Sequence, residues 1–265
     1  MTLNWDGMSV IEVGDGPGVL WLHGYTMCSD VWQPVWEKLP GWRHIGLDLP
    51  WHGASRGLRD GETLAMLADS VLAYVASASV AHVVALSFGT ILAIEMAARH
   101  PDACDSWTLA APSLAGMPHE PAVTRRYLNL YMMYRTYGAG PHMTQLWMAS
   151  PPAIFAAIND RPDARERMRH VIDKHQWHEL ASDGMRQLVT RTQVPGDLGA
   201  VRAPISVIVG DEDLLTHKAC ARSLASSNPN VSMVVMQGCG HLPLLEEPDS
   251  AASLIATHLT ASVMR

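Results

Sequence analysis

An α/β fold with a mostly parallel central sheet flanked by helices is the architecture this sequence predicts, and three observations predict it. Short β-branched runs alternate with longer Ala-rich and Leu-rich amphipathic segments, the order that parallel strands joined by crossover helices require. Several runs are solidly apolar, as strands covered by helices on both faces must be, whereas a strand with one wet face would alternate. The 265 residues suit one large domain or a domain with an insertion, and 48% apolar against 17% charged residues can bury a substantial core.

Taken in order, residues 8–13, 19–22 and 44–47 read as strands, and Thr63 to Ala76 as a helix. A strand at 82–85, a helix at 88–99 and a strand at 106–109 follow. After residue 204 come a strand at 205–209, a helix at 217–226, a strand at 231–236 and a helix at 248–259. Between about Pro112 and Pro204 no strand pattern occurs, and Met, Tyr, Trp, Arg and His accumulate. That segment is expected to be a helical cap, residues 113–204, inserted into a core made of residues 1–112 and 205–265. Within it Tyr127, Tyr131 and Tyr134 share one helical face. Core packing is their expected use, and a wall facing a substrate is the alternative. Residues 161–169 read as a solvated, charge-rich face of the cap.

Composition removes several classes of function. With 19 basic against 26 acidic side chains the net charge is −7, and no block of Lys or Arg exists to hold nucleic acid or an anionic lipid surface. Residues 1–6 lack the basic and apolar pattern of a secretory signal, so a cytoplasmic protein is expected. Residues 70–94 carry no charged side chain and are long enough to cross a bilayer. Ser77, Ser79, His82, Ser87, Gly89 and Thr90 interrupt them, and the pattern changes from helix to strand and back, so no membrane span is expected. Cys28, Cys104, Cys220 and Cys239 form no C-x-x-C pair and read as free thiols. No metal cluster and no nucleotide loop is visible, so no cofactor is implied.

The most informative segment is Val83-Val84-Ala85-Leu86-Ser87-Phe88-Gly89-Thr90, a buried-strand pattern running through a serine directly into a helix. A serine held at so tight a corner needs small neighbours two residues away on each side, and Ala85 and Gly89 meet that need. The helix start offers unpaired N–H groups and positive potential where negative charge could develop beside the hydroxyl.

Here the chain resembles the α/β-hydrolase fold superfamily, whose nucleophile elbow G-x-S-x-G is matched by residues 85–89 with alanine for the first glycine. The resemblance implies a triad in the order nucleophile, acid, base, each from a loop after a later strand. The strand at 205–209 closes at Gly210 and opens onto Asp211-Glu212-Asp213. The family's spacing favours Asp213 as the acid and leaves Asp211 as the rival, with the remaining carboxylates expected to cap the turn. His217, His241 and His258 follow. His241 fits the base best, because its flanking glycines allow a flexible loop and because Gly238-Cys239-Gly240-His241 with Glu246 and Pro248 is similar to the family's G-x-G-H-x-x-x-x-E-x-P signature. His217 stands too early and His258 too late in a helix.

The resemblance extends to the oxyanion donors, implied to be the backbone N–H groups of Tyr25, in the H-G-x loop Leu22-His23-Gly24-Tyr25, and of Phe88. His23 would brace that turn rather than act as base. Residues 48–55 resemble the family's D-x-P-G-x-G-x-S loop, with Trp51 in place of a glycine and packing as its expected role. The implied activity is a serine hydrolase cleaving an ester, thioester or lactone of a small-molecule acyl substrate. An acyltransferase, a non-hydrolytic lyase or cyclase, and a non-catalytic small-molecule receptor are the alternatives on this fold. A serine at the elbow argues against relatives that need a carboxylate nucleophile there. Met132, Met133, Met143, Trp147, Met148, Phe155 and Tyr131 of the cap suggest an apolar or aromatic acyl group. Tyr131, Trp147 and Leu242 are the expected substrate-binding side chains.

Overall fold

The structure is a computed structural model that describes residues 1–149, 153–182 and 188–263. Its sheet has eight strands in the order β1-β2-β4-β3-β5-β6-β7-β8. These are β1 Thr2–Trp5, β2 Met8–Val13, β3 Gly18–Leu22, β4 Arg43–Leu47, β5 Val80–Leu86, β6 Ser106–Ala110, β7 Ile205–Gly210 and β8 Val231–Met236. The pairings from β4 through β3, β5, β6 and β7 to β8 are parallel, whereas β1–β2 and β2–β4 are antiparallel. The mostly parallel α/β sheet expected from the sequence is therefore present. Strand β1 is an addition to that expectation. It is short and largely exposed, so no buried pattern marks it. Asp6 and Gly7, with φ of 53° and 80°, form the tight turn that folds it back on β2.

Apolar alternation on β5 feeds both layers of the core. Val83 and Ala85 join α2 (Leu64–Ser77) and α3 (Phe88–Arg99) on one face, while Val84 and Leu86 join Trp32, Trp36 of the short α1 (Gln33–Trp36) and Ile255 on the other. Thr63 starts α2 by accepting the Met66 amide on its hydroxyl. The uncharged stretch 70–94 divides into the end of α2, all of β5 and the first half of α3, and no described helix is long and apolar enough to cross a membrane. At the sheet edge β8 has exposed or half-buried side chains at its four central positions, so it departs from the fully buried pattern of β3, β6 and β7.

Between β6 and β7 the described residues form helices and turns but no strand: α4 Pro121–Tyr137, α5 Pro141–Met148, α6 Pro162–Asp173 and several short 3-10 turns. Buried Trp147, Phe155, Met168 and Trp177 from this segment pack into the same apolar cluster as the core residues Leu86, Leu242 and Leu245. On α6, Arg165, Glu166, Arg167 and Arg169 are exposed, as a solvated face requires, whereas Arg161 just before it pairs with Glu247 of the core. All four cysteines are buried free thiols.

Candidate active site

The corner between β5 and α3 places Ser87 at φ 50° and ψ −117°, a conformation that a non-glycine residue holds only where its surroundings enforce it. Two constraints do so. The Ser87 amide donates to the Ala110 carbonyl across the sheet at 2.9 Å, and α3 starts at the next residue. A side chain on Gly89 would press into the Leu22 carbonyl oxygen and lie 2.7 Å from that of His23, so only glycine lets α3 sit this close to the end of β3.

His241 and Asp213 arrive on loops that follow β8 and β7. His241 Nε2 is 2.8 Å from Ser87 Oγ, and His241 Nδ1 is 2.8 Å from Asp213 Oδ1. An ionised carboxylate only accepts, so Nδ1 carries the proton, Nε2 is left as an acceptor, and the Ser87 hydroxyl donates to it. Burial pushes the Asp213 carboxyl up, but the charge and hydrogen bond of His241, the charge of His217 and the Leu214 amide outweigh it and hold the group below its ordinary range. Glu246 accepts the amides on both sides of the base, Gly240 at 2.6 Å and Leu242 at 3.0 Å, and so fixes the loop that carries the imidazole. Burial raises the Glu246 pKa against those two bonds. The other two acid-loop carboxylate residues tie the loops together: Asp211 Oδ1 accepts the Cys239 amide, and the Glu212 amide donates to the Cys239 carbonyl. Asp213, not its rival Asp211, is thus the residue in contact with His241.

Beside the serine, the loop after β3 is braced from beneath. His23 Nδ1 bonds the Gly24 carbonyl and its Nε2 accepts the Leu49 amide, while His52 Nε2 accepts the Thr26 amide. Burial lowers the pKa of both imidazoles, which keeps them neutral and able to accept. A side chain on Gly24 would come within 3.6 Å of Ser87 Cβ, so this loop lies directly against the nucleophile corner. Among the described residues neither the Tyr25 nor the Phe88 amide has a hydrogen-bond partner, as donors reserved for an oxyanion would require. Trp51 takes φ 65°, in the left-handed region that favours glycine. Its indole packs on Gly57 rather than lining the cavity, so packing is its role.

Ser87 and His241 open onto a cavity of about 810 Å³. Tyr25, Phe88, Tyr131, Trp147 and Leu242 all line it, with Tyr131 at its more exposed rim. Tyr127 lines it too, stacked on Trp147 at 5.5 Å, so the aromatic face of α4 serves partly as wall and partly, through Tyr134, as packing. The methionine expectation needs correction. Met132 is exposed, Met143 and Met148 are buried in the core and Met133 packs against it, whereas the thioethers at the cavity are Met27 and Met117. Helical spacing alone does not show which face of α4 or α5 turns inward.

Five polar residues at the cavity, Ser113, His119, Glu179, Ser182 and His217, were not anticipated. Glu179 accepts the Tyr25 hydroxyl at 2.6 Å and is 3.0 Å from His175 Nε2, in a side chain that is 1% exposed. Ser113 follows β6, and His217 lies against His241 with ring centroids 4.2 Å apart and the planes tilted by 49°. A histidine at the start of a predicted helix gives no sign of this. Its place four residues after Asp213, just beyond a loop already assigned to the site, was the available signal. No group of residues able to hold a metal ion occurs among the described residues.

Comparison with known proteins gives the same picture. A family model described as alpha/beta hydrolase fold matches residues 17–248. A pimeloyl-[acyl-carrier protein] methyl ester esterase of Aromatoleum aromaticum is 28% identical over 253 residues, covering 90% of this chain and 96% of the relative. A monoacylglycerol lipase of Xenopus laevis is 24% identical, covering 94% and 77%. Among solved structures, an esterase from Thermogutta terrifontis superposes with a TM-score of 0.78 at 21% identity, over 99% of this chain and 98% of that one. The enol-lactonase from Burkholderia xenovorans does so with 0.79 at 19%, over 98% and 100%.

Proposed function

This chain belongs to the α/β hydrolase fold family, and we propose that it is a serine esterase acting on small-molecule esters with an apolar acyl group. The observation that carries the reading is the continuous Ser87–His241–Asp213 hydrogen-bond chain, 2.8 Å at each link, opening into an apolar cavity beside two unpaired amides. The esterase and lipase relatives support ester cleavage as the reaction.

In this reading His241 Nε2 removes the Ser87 proton as Oγ attacks the carbonyl carbon. The carbonyl oxygen becomes an oxyanion and accepts from the Tyr25 and Phe88 amides, each such donor contributing about 3 kcal/mol to the barrier reduction. The imidazolium, stabilised by Asp213, then protonates the leaving alcohol. A water molecule repeats the sequence on the acyl-enzyme: His241 takes its proton, the hydroxide attacks, and Ser87 leaves with the proton returned. Tyr127, Trp147 and Phe155 supply the apolar wall for the acyl chain. The segment 113–204 acts as the cap that carries this wall.

The test is Ser87→Ala. Fluorophosphonate labelling and turnover of hexanoate esters are expected to vanish while the melting temperature stays near that of the wild type. Retained turnover would remove the assignment.

A further inference from the structure

The triad accounts for one imidazole at the cavity, and the chain places a second one against it. His217 is 7% exposed, lies in tilted contact with His241 at 4.2 Å between ring centroids, and lines the cavity. Its Nδ1 is 3.1 Å from the Pro112 carbonyl oxygen, which can only accept, so Nδ1 carries the proton and Nε2 carries a lone pair. Ser113 Oγ, 3.4 Å away, shares the same Nδ1. Nε2 has no partner among the described residues and is not sealed off, and the space open to this side chain is the cavity. Asp213, His241 and His119 are the titratable groups that act on the ring. Burial, followed by the charge of His241, keeps the ring neutral down to about pH 4 against the opposing pull of Asp213.

A ligand that fills the cavity takes this acceptor out of water, which is costly unless the ligand itself supplies a donor. Its location says which part of the ligand does so. The leaving alcohol must sit where His241 can protonate it, and His217 flanks His241, so a donor that reaches His217 lies within a few bonds of the leaving oxygen. The geometry points to His217 as a specificity-determining residue that accepts a hydrogen bond from a hydroxyl on the alcohol portion of the ester, so that monoesters of diols or polyols are preferred over esters of simple alcohols. This inference rests on the esterase reading above.

The test compares kcat/KM for 2-hydroxyethyl hexanoate with that for propyl hexanoate, which replaces the hydroxyl by a methyl of similar size. The wild type is expected to prefer the hydroxyl ester by about tenfold, the worth of one neutral hydrogen bond in a buried site. His217→Gln keeps an acceptor near the position of Nε2 and should retain most of that ratio. His217→Asn keeps a donor for Pro112 but does not reach the cavity, and should bring the ratio close to one. A purely structural role predicts no change of the ratio in either variant, because it would affect both esters alike. An unchanged ratio in His217→Asn, a wild-type ratio near one, or a hydroxyl preference only when the hydroxyl is on the acyl chain (methyl 3-hydroxyhexanoate against methyl hexanoate) would each overturn the inference. Turnover of neither ester, with no labelling of Ser87, would instead sink the esterase reading.

Discussion

The two walls of the cavity are built on different physical principles. On the sheet side, the serine, base and acid stand on loops whose courses are set by backbone contacts: Gly89 against the Leu22 and His23 carbonyls, the Ser87 amide on Ala110, and Glu246 on the amides around His241. On the helical side, Tyr127, Trp147, Phe155 and Glu179 come from separate elements and are held mainly by ring packing and a few side-chain hydrogen bonds. Backbone-enforced geometry tolerates little change, because a close approach either exists or does not. Packed rings can be replaced by other rings at modest cost. Chemistry is therefore expected to be fixed on the first wall and substrate choice to vary on the second.

Asp213→Asn should break the sheet-side wall most severely. An amide in place of the carboxylate offers N–H where His241 needs an acceptor, favours the wrong tautomer, and is expected to lower kcat by about 10⁴-fold while KM changes little. A loss below tenfold would mean that Asp213 does not orient the base. Gly89→Ala should do damage of another kind. Its methyl group would meet backbone oxygen rather than a movable side chain, so denaturant unfolding should show a loss of about 3 kcal/mol together with loss of activity. If Gly89→Ala proves as stable as the wild type, the corner is less constrained than its contacts imply.

The same contrast explains what could be read in the residues alone. The contact of Ser87, Asp213 and His241 was legible because each stands in a short segment where neighbouring small residues or carboxylates serve a backbone requirement. Seven strands were legible from apolar runs, while β1 was not, since its exposed side chains leave only the Asp6-Gly7 turn as a signal. Glu179 and His217 were not legible, because their roles arise from partners 154 and 24 positions away, Tyr25 and His241. Met132 and Met143 misled for the same reason: a thioether looks alike in sequence whether it meets solvent, core or cavity.

Where the two walls join, a smaller effect should appear. The Tyr25 hydroxyl reaches the buried Glu179 carboxylate at 2.6 Å, and Trp147 Nε1 donates to Thr26 Oγ1 at 2.8 Å, so two bonds link the helical segment to the loop carrying the proposed oxyanion donor. A hydrogen bond to a buried charge is worth about 2 kcal/mol. A double-mutant cycle of Tyr25→Phe and Glu179→Gln should therefore give a coupling energy of that order in unfolding experiments, with kcat reduced about tenfold in each single variant. Additive behaviour would show that the walls act independently, and would place oxyanion geometry wholly on the sheet side.

The smallest expected effect concerns acid. His217 is held neutral to about pH 4, below the ordinary 6.5, so between those values the unfolded chain binds a proton that the folded chain refuses. The stability associated with a neutral His217 is thus fully present above pH 6.5 and falls as the pH drops toward 4. By pH 5.5 its share of the loss should be about 1 kcal/mol. The buried His44, His52 and His82, and the more exposed His119, are also lowered by desolvation and add slopes of the same sign. The informative measurement is therefore the difference between wild type and His217→Gln in unfolding free energy at pH 7.5 and at pH 5.5. The variant should lose less on acidification. Equal losses would mean that protonation at 217 is accommodated by movement of the wall, and that the imidazole beside His241 is less firmly held than its bond to Pro112 requires.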